Sequence, residues 1–247
     1  MNRRHFLGLA GAATGYSVII NAQDLVAAEP ISHSEIFEGF DAVAPPNAKT
    51  GKYRLEPHMT LVDLSCDVFV AGGGMSGVCA AIAAARNGAK VVLVQDRSRL
   101  GGNSSSEVKM HIVGANHSRP GWRESGLIEE FRLDDAVNNP QRTWELWDLL
   151  LYDKVKCEPN ITLLLDTVVF QAETSRKTIQ SVLARCDKTE HIYRIKSKVY
   201  IDCTGDSRLA LEAGADMVWG RESRSEYNES LALEKPDNKT LGSSILF

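Results

Sequence analysis

The sequence lacks the signatures of several classes of protein. Its five cysteines, Cys66, Cys79, Cys157, Cys186 and Cys203, are scattered, with no C-x-x-C pair among them. An odd, dispersed set is neither a disulfide framework nor a zinc or iron–sulfur cradle, and it reads as five small buried hydrophobes. The six histidines show no H-E-x-x-H spacing, so no catalytic metal is expected. Basic residues are not in excess: 28 Lys and Arg face 32 Asp and Glu, a net charge of −4. Nothing in that balance displaces phosphate counterions, and a nucleic-acid partner is not expected. Internal repeats, charge blocks and apolar runs of transmembrane length are also missing. Ser76 is no hydrolase nucleophile, because Gly74-Met75-Ser76-Gly77-Val78 lacks the second spaced glycine of G-x-S-x-G.

The N-terminal stretch carries an address. Arg3-Arg4 leads into His5-Phe6-Leu7 and a mild Gly- and Ala-rich run from Gly8 to Ile20, and Val26-Ala27-Ala28 offers a small-residue cleavage site. Residues 1–28 are predicted to be an export signal of the twin-arginine type, a receptor-read address rather than an anchor. The expected destination is the periplasm or the medium. That route carries folded proteins, which suits one that loads a cofactor before export. No cysteine lies near the cleavage site, so the mature form is expected to have no membrane anchor. Residues 29–64, punctuated by Pro45, Pro46 and Pro57, show no sustained period and read as an extended leader with one short strand at 60–64.

The informative stretch begins at Cys66. Cys66-Asp67-Val68-Phe69-Val70-Ala71 is a short apolar run that reads as a buried parallel strand. Gly72-Gly73-Gly74-Met75-Ser76-Gly77 follows at once, then an Ala-rich helix former from Val78 to Asn87 that stops at Gly88. Lys90–Gln95 is a second buried strand. Residues 66–95 thus form a β-α-β unit with G-x-G-x-x-G at its strand-to-helix turn, the fingerprint of dinucleotide binding. Gly72 permits the tight turn, Gly74 admits a pyrophosphate to the backbone, and Gly77 lets helix and strand approach. The pyrophosphate would rest on free N–H groups at the helix N-terminus. The acid that binds adenosine ribose should end the second strand, yet Gln95 stands there with Asp96 beside it. Gln95 could hydrogen-bond the ribose without a charge, or Asp96 could turn inward. Arg97 and Arg99 follow and could accept the 2′-phosphate of NADP, so this unit alone leaves FAD and NADP both open.

Further along, Leu100-Gly101-Gly102-Asn103 suggests backbone lying close to a ligand. Residues 104–160 read as a largely helical insertion, with an amphipathic helix over 141–156 whose Trp144, Trp147 and Leu151 form a core stripe. Residues 161–165 read as a buried strand, and the three turn-separated segments that follow, 167–173, 178–186 and 191–196, read as an antiparallel meander. Lys198–Asp202 returns as a strand into Cys203-Thr204-Gly205-Asp206, before a helix near 207–213. The expected fold is α/β: a Rossmann-like FAD/NAD(P)-binding domain over 65–247, with a parallel central sheet and the meander.

Several runs together resemble one family. They are Val94-Gln95-Asp96-Arg97, Leu100 through Glu107, Arg123-Glu124-Ser125-Gly126, Glu158-Pro159-Asn160-Ile161 and Asp202-Cys203-Thr204-Gly205-Asp206. They are similar to the FAD-dependent oxidoreductases related to the flavin domain of heterodisulfide reductase. The resemblance implies FAD as cofactor, with Gly72, Gly74 and Gly77 at the ADP pyrophosphate and Gln95 or Asp96 facing the ribose. It also implies that Val169 presents its backbone to adenine, and that Gly101, Gly102, Gly205 and Asp206 lie along the pyrophosphate and ribityl chain. The family's usual second-strand glutamate is Gln95 here, and its iron–sulfur cysteines have no counterpart. The resemblance further implies a closing Gly-Asp segment and a substrate domain beyond Phe247, so the chain is expected to be the N-terminal piece of a longer flavoprotein.

The expected activity is oxidation or reduction of a small or sugar-like substrate by bound flavin, with an electron acceptor that the sequence does not name. Candidates for proton transfer or anion binding are His111, His117, Arg123 and Glu124. Two competing readings are an NADP-dependent Rossmann oxidoreductase, favoured by Gln95, Arg97 and Arg99, and a polysaccharide lyase-like or carbohydrate-binding protein. The last needs a sugar groove with acid/base side chains, which the sequence does not locate.

Overall fold

A computed structural model describes residues 48–113, 122 and 124–240. The expected export signal, the first part of the expected leader, His117, Arg123 and the segment 241–247 lie outside the described residues. Seven strands form one sheet in the order β4-β3-β2-β7-β6-β5, with β1 paired to β2 off this path. They are β1 (Lys49–Tyr53), β2 (Glu56–Ala71), β3 (Val91–Val94), β4 (Ile161–Leu164), β5 (Val168–Ser175), β6 (Thr178–Cys186) and β7 (His191–Asp202). Strands β4, β3, β2 and β7 run parallel, and β7, β6 and β5 form the antiparallel meander. The described helices are α1 (Met75–Arg86), α2 (Leu127–Asn138), α3 (Trp144–Lys156), α4 (Arg208–Glu212) and α5 (Arg224–Tyr227). None of them is long and apolar enough to cross a membrane.

Three expectations change. The leader and its domain boundary at residue 65 give way to sheet, because β2 starts at Glu56 and β1 pairs antiparallel with its first half. The sequence hides this half of β2 behind Pro57, His58 and Asp63, and its partners supply what propensity does not. Thr60–Cys66 lie in register with His191–Ser197 of β7, more than a hundred residues away. Met59 and Leu61 then close a small core with Leu183 and Ile192. The segments expected at 191–196 and 198–202 are likewise one strand. Lys196-Ser197-Lys198 interrupts the apolar pattern, but Lys198 pairs with Asp67 of β2 at 2.7 Å and the ladder continues past it. The cysteines also depart from expectation: Cys186 is buried, but Cys66, Cys79 and Cys203 are half-buried and Cys157 is exposed, at the C-cap of α3.

The main core lies between the sheet and the three longer helices. β3 is buried along its whole length, as a strand covered on both faces must be. α1 buries Val78, Ala81, Ile82 and Ala85 against it, and these small side chains let the helix axis come close. Asn87 caps α1, and Gly88 follows with a left-handed φ of +86°. Phe131 of α2 and Trp147, Leu151 and Val155 of α3 complete the cluster. α3 begins at Trp144, because Thr143 caps it by accepting the Leu146 N–H.

Ion pairs join the helices at the rim. Arg86 of α1 grips Glu130 of α2 through both guanidinium nitrogens, at 2.7 and 2.9 Å, and reaches Glu158 at 2.6 Å. Lys154 of α3 meets the same Glu130 at 2.8 Å and also contacts Asp134. Arg86 and then Lys154 hold the Glu130 carboxyl down to about 2. A carboxyl lowered in the folded state stabilises the fold above its ordinary 4.5 and loses that contribution as pH falls toward about 2. The pair is partly solvated, which limits its worth. Glu130→Gln should lower stability by about 1 kcal/mol near neutral pH. In urea titrations across pH, the gap between wild type and variant should close between 4.5 and about 2.

Candidate functional site

The site gathers where three parallel strands end. β2 gives way at Gly72, β3 at Gln95 and β7 at Cys203, all at the carboxyl edge of the sheet. The chain leaves β2 toward β3 on one side and receives β7 on the other, which is the crevice where open α/β sheets take their ligands. Gly72 donates to the Val94 carbonyl at 2.8 Å, and Cys203 donates to Ala71 at 2.7 Å, so the three strand ends are tied together.

The glycines have distinct reasons. Gly72 has φ +93°, and a Cβ there would stand 2.5 Å from the Cys203 carbonyl oxygen. A Cβ on Gly77 would run into the carbonyl of Gly72, so helix and turn touch backbone to backbone. Gly74 differs: a Cβ there would meet no protein atom within 4 Å. It is the N-cap of α1, with no side-chain cap and no acid in the first turn, so the first N–H groups face open space.

A second glycine loop is locked onto the first. Gly101, at φ +102°, donates its N–H to the Gly73 carbonyl at 2.8 Å, and Gly74 and Gly101 form a parallel bridge. A Cβ on Gly102 would lie 3.3 Å from the Gly74 Cα. Leu151 of α3 presses from below, 2.9 Å from where a Gly101 Cβ would be. Asp148, one turn earlier and 7% exposed, accepts from Arg99 and from the Ser106 N–H, each at 2.9 Å. This carboxylate pins both ends of the loop to α3. The sequence holds one hint of it: an aspartate beside Trp147 and Leu151 on an otherwise apolar face.

Gln95 serves the backbone. Its Oε1 accepts the Gly73 N–H at 2.7 Å and its Nε2 donates to the Arg99 carbonyl at 3.0 Å, with the residue 4% exposed. Asp96, the other residue expected at the ribose, is exposed, and both it and Gln95 line the cleft. The arginines that could take a 2′-phosphate are engaged: Arg97 with Glu107 and Arg99 with Asp148, both at 2.9 Å.

The third wall is the Thr204-Gly205-Asp206 loop. Asp202 accepts from the Thr204 N–H and hydroxyl at 3.0 and 2.6 Å, and from Ala210 of α4 at 2.8 Å. Gly205 opens onto space, and Asp206 is exposed at the cleft without a hydrogen-bond partner among the described residues. Burial pushes the Cys203 thiol up, with Ser76 partly opposing, so it faces the cleft as a neutral thiol. Val169, on the edge strand β5, lines the far end.

Together these segments enclose a cleft of about 850 Å³. It brings together Gly72, Gly74, Gln95, Asp96, Gly101, Gly102, Val169, Gly205 and Asp206, while Gly77 stands behind the turn. His111 lines the cleft and also a smaller cavity of about 220 Å³ against α2 and α3. Glu124 is exposed and lines neither. Trp144 and Trp147, expected as core, do pack on the main cluster, but they also wall the small cavity. The buried indole N–H of Trp147 has no partner among the described residues.

Residues 67–242 match the family described as FAD dependent oxidoreductase. A comparison with curated proteins finds no match. Among solved structures, the chain is similar to a geranylgeranyl bacteriochlorophyll reductase-like protein from Thermoplasma acidophilum. Identity is 15%, with 65% of this chain and 45% of that one covered and a TM-score of 0.46. It is also similar to adenylylsulfate reductase from Archaeoglobus fulgidus, at 17% identity, 66% and 33% coverage and a TM-score of 0.40. The myxobacterial chondrochloren halogenase, a variant of the FAD-dependent halogenases, matches at 14% identity, 58% and 38% coverage and a TM-score of 0.41. The chain spans less than half the length of each of these structures. The match over 67–242 covers most of the chain, which therefore belongs to the FAD dependent oxidoreductase family and takes FAD as its cofactor.

Proposed function

We propose that the protein is an exported flavoenzyme that oxidises or reduces a small organic or sugar-like substrate and hands electrons to a separate acceptor. The observation that carries this reading is the double glycine cradle. Gly74 and Gly205 leave open backbone at the strand ends, with the uncapped N-terminus of α1 aimed into the same cleft. FAD, when bound, supplies the redox chemistry, and the protein positions it and tunes its surroundings. The first-turn N–H groups of α1 and the Gly74 backbone would hold the pyrophosphate. Asp96 would meet the adenosine ribose, Val169 the adenine, and Gly101, Gly102, Gly205 and Asp206 the chain between the rings.

The ion pairs of Arg97 and Arg99 favour FAD over NADP, since a 2′-phosphate would have to displace Glu107 or Asp148. His111, at the junction of the cleft and the small cavity, is the side chain best placed to move a proton near the substrate. The finer kinship, with the flavin domain of heterodisulfide reductase, rests on the loop runs from Val94 to Glu107 and from Asp202 to Asp206. Export rests on Arg3-Arg4 and Val26-Ala27-Ala28, and the mass of the exported protein should show loss of residues 1–28.

The purified protein should show oxidised flavin bands and release a cofactor with the mass of FAD. A colourless protein that refuses added FAD would overturn the reading. Two glycine variants separate cradle from scaffold. Gly74→Ala introduces a methyl only into space the ligand needs, so it should keep its unfolding temperature and bind FAD about tenfold more weakly or worse. Gly77→Ala puts its methyl into the Gly72 carbonyl and should lose the fold along with the flavin, as circular dichroism and absorbance on one sample would show.

A further inference from the structure

We propose that the small cavity between α2 and α3 is the subsite for a substrate carboxylate carried on a flat apolar body. The proposal rests on the flavoenzyme reading for its role, but the site itself stands on separate observations. The cavity measures about 220 Å³, below the roughly 300–1,000 Å³ of ordinary small-molecule pockets, so it suits a small ligand or one end of a larger one. It shares Ser104, His111 and Ile112 with the cofactor cleft, so a molecule seated here borders the flavin site.

Its chemistry is that of an anion receptor with aromatic walls. Trp144 and Trp147 supply flat apolar surface, and the buried Trp147 N–H is a donor without a protein acceptor among the described residues. Burying a donor unpaired is costly, and a ligand oxygen would restore the missing bond. Two arginines, Arg132 and Arg142, line the cavity with one acid, Asp135. One oxygen of that acid, Oδ1, accepts from the Asn139 amide at 2.9 Å. No ion pair engages Arg142 among the described residues, and its backbone is held at a left-handed φ of +53°. The rim is rigid there: the Asn139 amide also grips the Thr143 N–H and carbonyl, at 2.9 and 2.8 Å, fixing the turn that carries Arg142. A guanidinium fork and an indole N–H are both donors of the kind that carboxylate oxygens accept.

Benzoate and its neutral analogue benzamide are the probes, titrated into the full chain whose flavin content has first been recorded. Binding is followed by calorimetry and by the flavin spectrum. Benzoate should bind saturably and shift the flavin bands, and benzamide should bind about tenfold more weakly or worse. Trp147→Phe keeps an aromatic ring and removes the N–H, while Arg142→Gln changes only an exposed cation. Each should weaken benzoate about tenfold while flavin content holds. No saturable binding, benzamide as tight as benzoate, or indifference to both substitutions would overturn the proposal. A flavin-free chain that still binds benzoate through Trp147 and Arg142 upholds the cavity and counts only against the flavoenzyme reading.

Discussion

The site depends on backbone meeting backbone. Gly77 lies against the carbonyl of Gly72, Gly72 against the carbonyl of Cys203, and Gly101 hydrogen-bonds Gly73, with no side chain between any of these pairs. Polar backbone brought this close must be satisfied, and here each turn satisfies the next. The result is a floor whose shape is set by main chain alone. Its open faces, at Gly74 and Gly205, are those a dinucleotide requires.

That floor is held by side chains bound to the main chain of the loops. Gln95 closes the gap between the first glycine turn and the Arg99 carbonyl, where the family's glutamate would sit. A neutral amide both accepts and donates, so it can bridge an N–H and a C=O, which a carboxylate cannot. Asp148 does the same service for the second loop from α3, and Leu151 below it supplies the packing. The helical insertion therefore holds one wall of the cleft in place. It also places Trp147 and the Asn139–Thr143 turn beside the cleft, so one pair of helices supports the flavin loops and builds the adjoining cavity.

Local signals carried the first β-α-β unit well. Its strand, glycine turn, Ala-rich helix and Gly88 stop are all decided within thirty residues, and the structure reproduces them with small shifts at the helix ends. The first two strands of the meander and the start of the third were equally legible, since turn residues separate them and each pairs with its neighbour in sequence. The first half of β2 was not. Glu56-Pro57-His58 has no strand signal of its own and becomes strand only because β1 and β7 pair with it from either side. The ion pairs of Arg97 and Arg99 were equally hidden, because Glu107 and Asp148 approach them through folds of the loop and of α3.

By itself the sequence determined a glycine turn at a strand end of the kind that dinucleotide binding uses, because that signature needs particular residues at short, regular spacing. It also determined the order of helices and strands around that turn, since periodicity and turn residues act over a few positions. Only the tertiary structure decided what Gln95 does, how α3 anchors the second loop and where His111 stands between two cavities. Those are contacts between segments far apart in the chain, and no local pattern records which distant atom will arrive opposite a given side chain.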